Sequence, residues 1–240
     1  MVRTGVHRSP RAPPYAAPVP LPVGAPGPTR APGTSRFVPR DRPLERVGRC
    51  LVGLGLFGVG IAMLLRAELG AAPWDVFHTG VARLVGASTG VVIVATGVAL
   101  LALWVPLRER PGLGTILNAV VVGVVVDLAS PLLGHPEALA VRVPMMLGGV
   151  VLVAIGSGSY MGAGLGPGPR DGLMTGVARV GLVGRPVSIR AARTGVEVLV
   201  LLVGIALGGA VGVGTAVFAL GIGPLVQVLL PPLQLDHDPR

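Results

Sequence analysis

Lysine is absent from this 240-residue chain, all twenty basic side chains being arginine, and cysteine occurs once, at Cys50. One cysteine excludes an internal disulfide and a zinc site built from thiolates. The four histidines, His7, His78, His135 and His237, are scattered without metal-ligand spacing. Charged side chains are 13% of the chain and aromatic ones 3%. Soluble domains carry about 25% charged residues, so this chain has too little charge to coat a water-facing surface. A secretory signal peptide is not expected either. The first apolar run begins near residue 47, too late, and no small-residue cleavage pattern accompanies it.

Apolar residues make up 51% of the chain, and they cluster. Mean hydropathy is +0.75. Six segments are long enough to cross about 30 Å of hydrocarbon at 1.5 Å per residue: 47–65, 89–105, 113–133, 143–161, 187–207 and 213–230. The expected fold is therefore all-α, a polytopic transmembrane helix bundle of about six spans surrounded by the lipid bilayer. Residues 1–45 contain eleven prolines and no apolar periodicity, and they read as a disordered Pro/Arg-rich cytoplasmic tail. Residues 1–49 hold nine arginines against Asp41 and Glu45. The abutting span favours a positive-inside segment over a nucleic-acid arm, so no nucleic-acid partner is expected. Arginine placement puts both termini in the cytoplasm of a cytoplasmic-membrane protein, with residues 233–240 a second short tail.

The chain repeats itself. Residues 69–83 read LGAAPWDVFHTGVAR and residues 165–179 read LGPGPRDGLMTGVAR, nine identities in fifteen at a constant offset of 96. Thr96-Gly97-Val98 matches Thr194-Gly195-Val196, Leu84-Val85-Gly86 matches Leu182-Val183-Gly184, and Gly112-Leu113-Gly114-Thr115 matches Gly212-Val213-Gly214-Thr215. Composition bias does not place shared Pro, Asp, Thr and Arg in register. Repeat 1 is 46–142 and repeat 2 is 143–232. Three spans per copy would insert the copies in opposite senses, the plan of many secondary transporters. Four per copy would make them parallel.

Each copy carries a short helix, 73–85 and 169–183, re-entrant or interfacial and too short to cross alone. Proline suits its first turn, and the aspartate after it complements the dipole. Asp75, Thr79 and Arg83 share one face, as do Asp171, Thr175 and Arg179. Facing stripes would set Asp75 near Arg179 and Asp171 near Arg83. The plainer alternative has aspartate capping the helix start and arginine reaching the headgroups. Glu197 falls within the fifth span, one turn after Arg193. An intrahelical pair and a proton- or cation-coupling site are both open readings. Asp127 and Asn118 in the third span are expected to point inward, with Gln227 at the repeat position of Asp127. Gly158, Gly162 and Gly166 allow close helix approach. The Gly/Pro stretch 162–169 is an irregular loop, either a connector or a binding loop, and not a phosphate-binding one.

The residues LGAAPWDVFHTG, GAGLGPGPRDGLMTG, Arg193 to Glu197 (RTGVE), and Val-Gly-Thr with Gly-Pro-Leu-Val-Gln between Val213 and Gln227 resemble the YczE-like group of bacterial multi-pass membrane proteins, themselves similar to the broader YitT-type family. The resemblance covers about residues 46–230. It implies a membrane location and a helical fold, and it supplies no catalytic residue and no substrate. The long N-terminal extension departs from the short tail expected for the group. No catalytic constellation is present, so an intramembrane enzyme ranks below two other readings. The first is a small-solute or ion transporter, proton-coupled in one version. The second is a non-transporting membrane scaffold or regulator of a biosynthetic or export complex. No cofactor is expected, and a homo-oligomer is left open.

Overall fold

The computed structural model describes residues 37, 39, 41–181 and 187–235. Most of the 1–45 tail, the residues after 235, and the Leu182-Val183-Gly184 match with Arg185 lie outside the described residues. The described chain is all helix with no strand: α1 (Pro43–Ala67), α2 (Pro73–Val85), α3 (Thr89–Leu107), α4 (Leu113–Leu132), α5 (Leu139–Gly162), α6 (Pro169–Val180), α7 (Ile189–Ala206) and α8 (Val213–Leu233).

The helix starts follow from local chemistry. Proline opens α1, α2 and α6, where its missing N–H costs nothing. Ser88 and Ser188 cap α3 and α7, each accepting a 3.2 Å bond from the third backbone N–H, of Val91 and Ala191. Thr115 and Thr215 accept from the Gly112 and Gly212 amides at 3.1 and 3.2 Å, starting α4 and α8. Two expected boundaries move furthest. Helix α1 begins at Pro43, inside the expected tail. Helix α5 begins at Leu139, before the expected repeat junction, and carries Pro144 inside it at the loss of one backbone hydrogen bond.

Helices α1, α4, α5 and α8 are each long and apolar enough to cross a membrane. Helices α2 and α3 together pass the same test but bend by 110° at their junction, giving up to five candidate spans. The expected fifth of the six segments, α7, is 18 residues long and carries Arg190, Arg193 and Glu197.

The centre is an antiparallel pair, α1 against α5. Gly53 lies on Gly156, and Gly60 on Gly149, so numbering rises along one helix as it falls along the other. A Cβ at Gly156 would sit 2.6 Å from the Gly53 carbonyl oxygen and from the Phe57 amide nitrogen. In lipid no hydrophobic effect drives helices together, and such small-residue contacts do it instead. Both contacts obey the 96-residue offset, since 53 and 60 map to 149 and 156. The arginines at the two ends obey it too. Arg46, 2% exposed, donates to the Ala163 carbonyl at 3.0 Å. Arg142 donates to the Ala67 and Glu68 carbonyls, each at 2.7 Å. Helix α4 packs on α1 and α8 on α5.

The short helices cross over between the halves: α2 packs on α7, and α6 on α3. The loops cross over as well. The Gly114 amide donates to the Leu165 carbonyl at 2.9 Å, and the Gly214 amide to that of Leu69 at 2.7 Å. One relation is unequal. Helices α3 and α4 pack closely through Gly90 and Gly123. At the matching place on α7 stands the long side chain of Arg190, and α7 buries only Ala192 and Gly204.

Candidate functional site

Helices α2 and α6 meet at their N-terminal ends. The guanidinium of Arg170 lies over the Trp74 ring, 5.4 Å from its centroid. Positions 74 and 170 are repeat mates, so this contact marks the place where the two copies meet. Trp104 of α3 fixes α6 there, its indole N–H donating to the Pro169 carbonyl at 3.0 Å. Gly172 lies flat on the same indole, where any Cβ would collide with the ring.

Beside this junction is a cavity of about 20 Å³, enough for one water. Polar side chains of both copies line it: His78 from α2, Thr96 from α3, Asn118 from α4 and Arg170 from α6, with Ile93, Leu100 and Val122 completing the wall. Behind the cavity His78 is 2% exposed and Asp75 1% exposed. The His78 Nδ1 and the Asp75 Oδ1 are 3.1 Å apart, one helical turn along α2. The other carboxylate oxygen, Oδ2, is buried with no hydrogen-bond partner, and so is the Trp74 indole N–H. A buried polar atom left unpaired costs about 1–3 kcal/mol. In the second copy Asp171 meets the Tyr160 hydroxyl, which donates at 3.4 Å, and Met174 stands where His78 stands in the first.

The other expected residues have different roles. Thr79 accepts from the Ala210 amide at 2.9 Å, pinning the α7–α8 turn to α2. Arg83 donates to the Gly208 carbonyl in that turn. Thr175 bonds back to the Asp171 carbonyl at 3.0 Å. Arg179 donates to the Leu107 carbonyl and pairs with Glu109 at 3.1 Å. Asp75 and Asp171 therefore do not pair with Arg179 and Arg83. The helices touch head to head, not side by side. Eight residues of rise, about 12 Å, carry each arginine away from the junction, toward the carbonyl end of α3 or α7.

Asp127 caps α3 from a distance, accepting from the Gly90 amide at 2.9 Å and from the Ser88 hydroxyl at 2.5 Å. Glu197 takes the Arg193 Nε at 3.0 Å on a partly exposed face of α7, which is the intrahelical alternative. Asn118 points at the α6 start, its amide nitrogen 3.6 Å from where a Gly168 Cβ would be. Sequence reasoning missed His78, Trp104, Tyr160 and Arg170 as site residues. For His78 the signal was present, an aspartate and a histidine three apart on a buried helix. For Arg170 and Trp74 it lay in the repeat register.

Residues 44–231 match the sequence model of DUF6198, a family of unknown function. An uncharacterized protein of Haemophilus influenzae is 36% identical over 190 residues, 79% of this chain and 85% of its own length. An uncharacterized membrane protein of Bacillus subtilis, YczE, is 31% identical over 184 residues, 75% of this chain and 82% of its own. A second uncharacterized Bacillus subtilis protein, YyaS, is 26% identical over 187 residues, 75% of this chain and 90% of its own. No solved structure matches.

Proposed function

We propose that this chain, which belongs to the DUF6198 family and is a multi-pass membrane protein, is a transporter of a small solute or ion in the cytoplasmic membrane. Its two copies insert in opposite senses, and both termini lie in the cytoplasm. One observation carries the reading. A water-sized cavity with a mainly apolar wall, into which the four polar side chains His78, Thr96, Asn118 and Arg170 reach, lies at the point where the two short helices meet. Discontinuous helices whose positive ends converge between inverted copies are the usual site of substrate in secondary transporters. The antiparallel α1–α5 pair and the exchanged Arg46 and Arg142 contacts support the inverted arrangement. A volume of one water suits an occluded pathway that widens as one copy rocks against the other.

The test is reconstitution of the full chain in liposomes of phosphatidylethanolamine and phosphatidylglycerol. Stopped-flow light scattering follows entry of formate, acetate, ammonium, urea and glycerol, and an internal pH dye follows protons. Flux above that of empty liposomes, abolished by Arg170→Ala, supports the reading. No flux of any probe opposes it.

The second reading, a non-transporting membrane scaffold or regulator, draws on the nine arginines of residues 1–49 as a docking segment. Removing residues 1–36, which spares Asp41 and the start of α1, separates the two. A transporter keeps its flux, whereas a scaffold docked through its basic tail loses its complex.

A further inference from the structure

We infer that Asp75 and His78 form a single proton-binding pair, loaded through the water-sized cavity, and that the coupling ion of the pathway is the proton. The inference rests on the transport reading above and names its ion. Four observations carry it. Both side chains are buried almost completely and are in hydrogen-bond contact at 3.1 Å. The second carboxylate oxygen of Asp75 has no partner, so His78 is the carboxylate's one side-chain hydrogen-bond contact among the described residues. His78 reaches the cavity that Thr96, Asn118 and Arg170 also line. The second copy lacks the pair, with Met174 in the place of His78 and Asp171 against a tyrosine hydroxyl.

The charged surroundings are few. Helix α3 contributes no ionisable side chain against α2. Helix α7 touches α2 through Gly204 and Leu207, and its Arg193 and Glu197 pair with each other while Arg190 is exposed. Helix α6 brings the Arg170 cation to the cavity, with Asp171 directed to Tyr160 and Arg179 to Glu109. On α2 itself Arg83 lies at the far end, bonded to Gly208. The proton balance is simple. A cavity water, as hydronium, gives a proton to the imidazole. The imidazole N–H facing Asp75 passes a proton to the carboxylate or holds it beside the negative charge. The pair gains one proton and one positive charge and nothing else changes. Arg170 holds the cavity positive and favours release again once water enters from the other side.

The experiment uses the full chain in the same liposomes. Infrared difference spectra between neutral and acidic buffer, in water and in deuterium oxide, read the carbonyl stretch of protonated carboxyl groups. The pair predicts a deuterium-sensitive band that Asp75→Asn removes, Asp171→Asn leaves in place, and His78→Gln moves to a different pH. Asp75→Glu keeps a band, which guards against loss by misfolding. In the dye assay, proton flux driven by a potassium gradient with valinomycin falls in Asp75→Asn to that of empty liposomes. The chain's other carboxyl groups give bands of their own, so the pair is overturned if Asp75→Asn removes no component of the wild-type band. A band that behaves as described, in a protein without proton flux, leaves the proton site standing but overturns proton coupling and the transport reading it rests on.

Discussion

Glycine does at Gly53, Gly60, Gly149 and Gly156 what no other residue can, because backbone of the facing helix stands within 3 Å of each missing Cβ. Gly156→Val would force α1 and α5 apart, and overpacking of this kind costs about 1–3 kcal/mol. The expected outcome is a clear fall in the thermal unfolding temperature in detergent. Gly55→Ala is the control, since nothing lies within 4 Å of its Cβ, and it should hold or raise that temperature. Thr79 and Thr175 look equivalent in sequence but are not. Thr79→Val orphans the Ala210 amide and should cost about 1 kcal/mol. Thr175→Val loses only a bond to its own helix and should cost little, as read by the same melt. The repeat showed which residues correspond. It could not show that Thr79 reaches a turn 131 residues away while Thr175 turns back on its own helix, because that depends on where the turns fall.

At the scale of elements, the short helices were largely legible: α2 spans Pro73–Val85 as expected, from a proline start and a glycine end, while α6 starts at the expected Pro169 and ends at Val180, three residues early. Their head-to-head meeting was not legible, because a stripe of Asp, Thr and Arg fits facing helices equally well. The arginine clamps could have been read, since Arg46 and Arg142 are 96 apart, but nothing in a sequence says that arginine seeks the other copy's last carbonyls. Arg46 is buried and also paired with Asp41, Arg142 partly exposed and paired with Glu68. Arg46→Ala, which removes a buried guanidinium from the Ala163 carbonyl, should therefore cost about 2 kcal/mol, and Arg142→Ala about 1 kcal/mol. Unfolding in detergent with increasing urea should rank the two in that order. Helix α7 shows how an apolar run accommodates charge. Its sequence reads as a span that carries charge, and the need of Glu197 for a partner is met on its own helix by the i,i+4 contact with Arg193.

For the whole molecule, hydropathy was enough to give an all-helical membrane protein, because lipid demands that backbone groups be satisfied within helices. The span count is harder, since α2 and α3 form one bent pair and α7 is short and charged. The site was half legible: Asp75 stands out through the repeated Asp-Thr-Arg stripe and Asn118 as a polar residue inside an apolar run, whereas the cavity exists only through contacts between distant segments. The claim on which the rest depends is that the two copies enter the bilayer in opposite senses. With Cys50 replaced by alanine, single cysteines at Ala87 and Val187, each just before a serine cap, report on the matching turn of each copy. Labelling intact cells and inside-out vesicles with a membrane-impermeant maleimide places each turn. The account predicts that Ala87→Cys labels from the outside only and Val187→Cys from the cytoplasmic side only; labelling of both from the same side would contradict it.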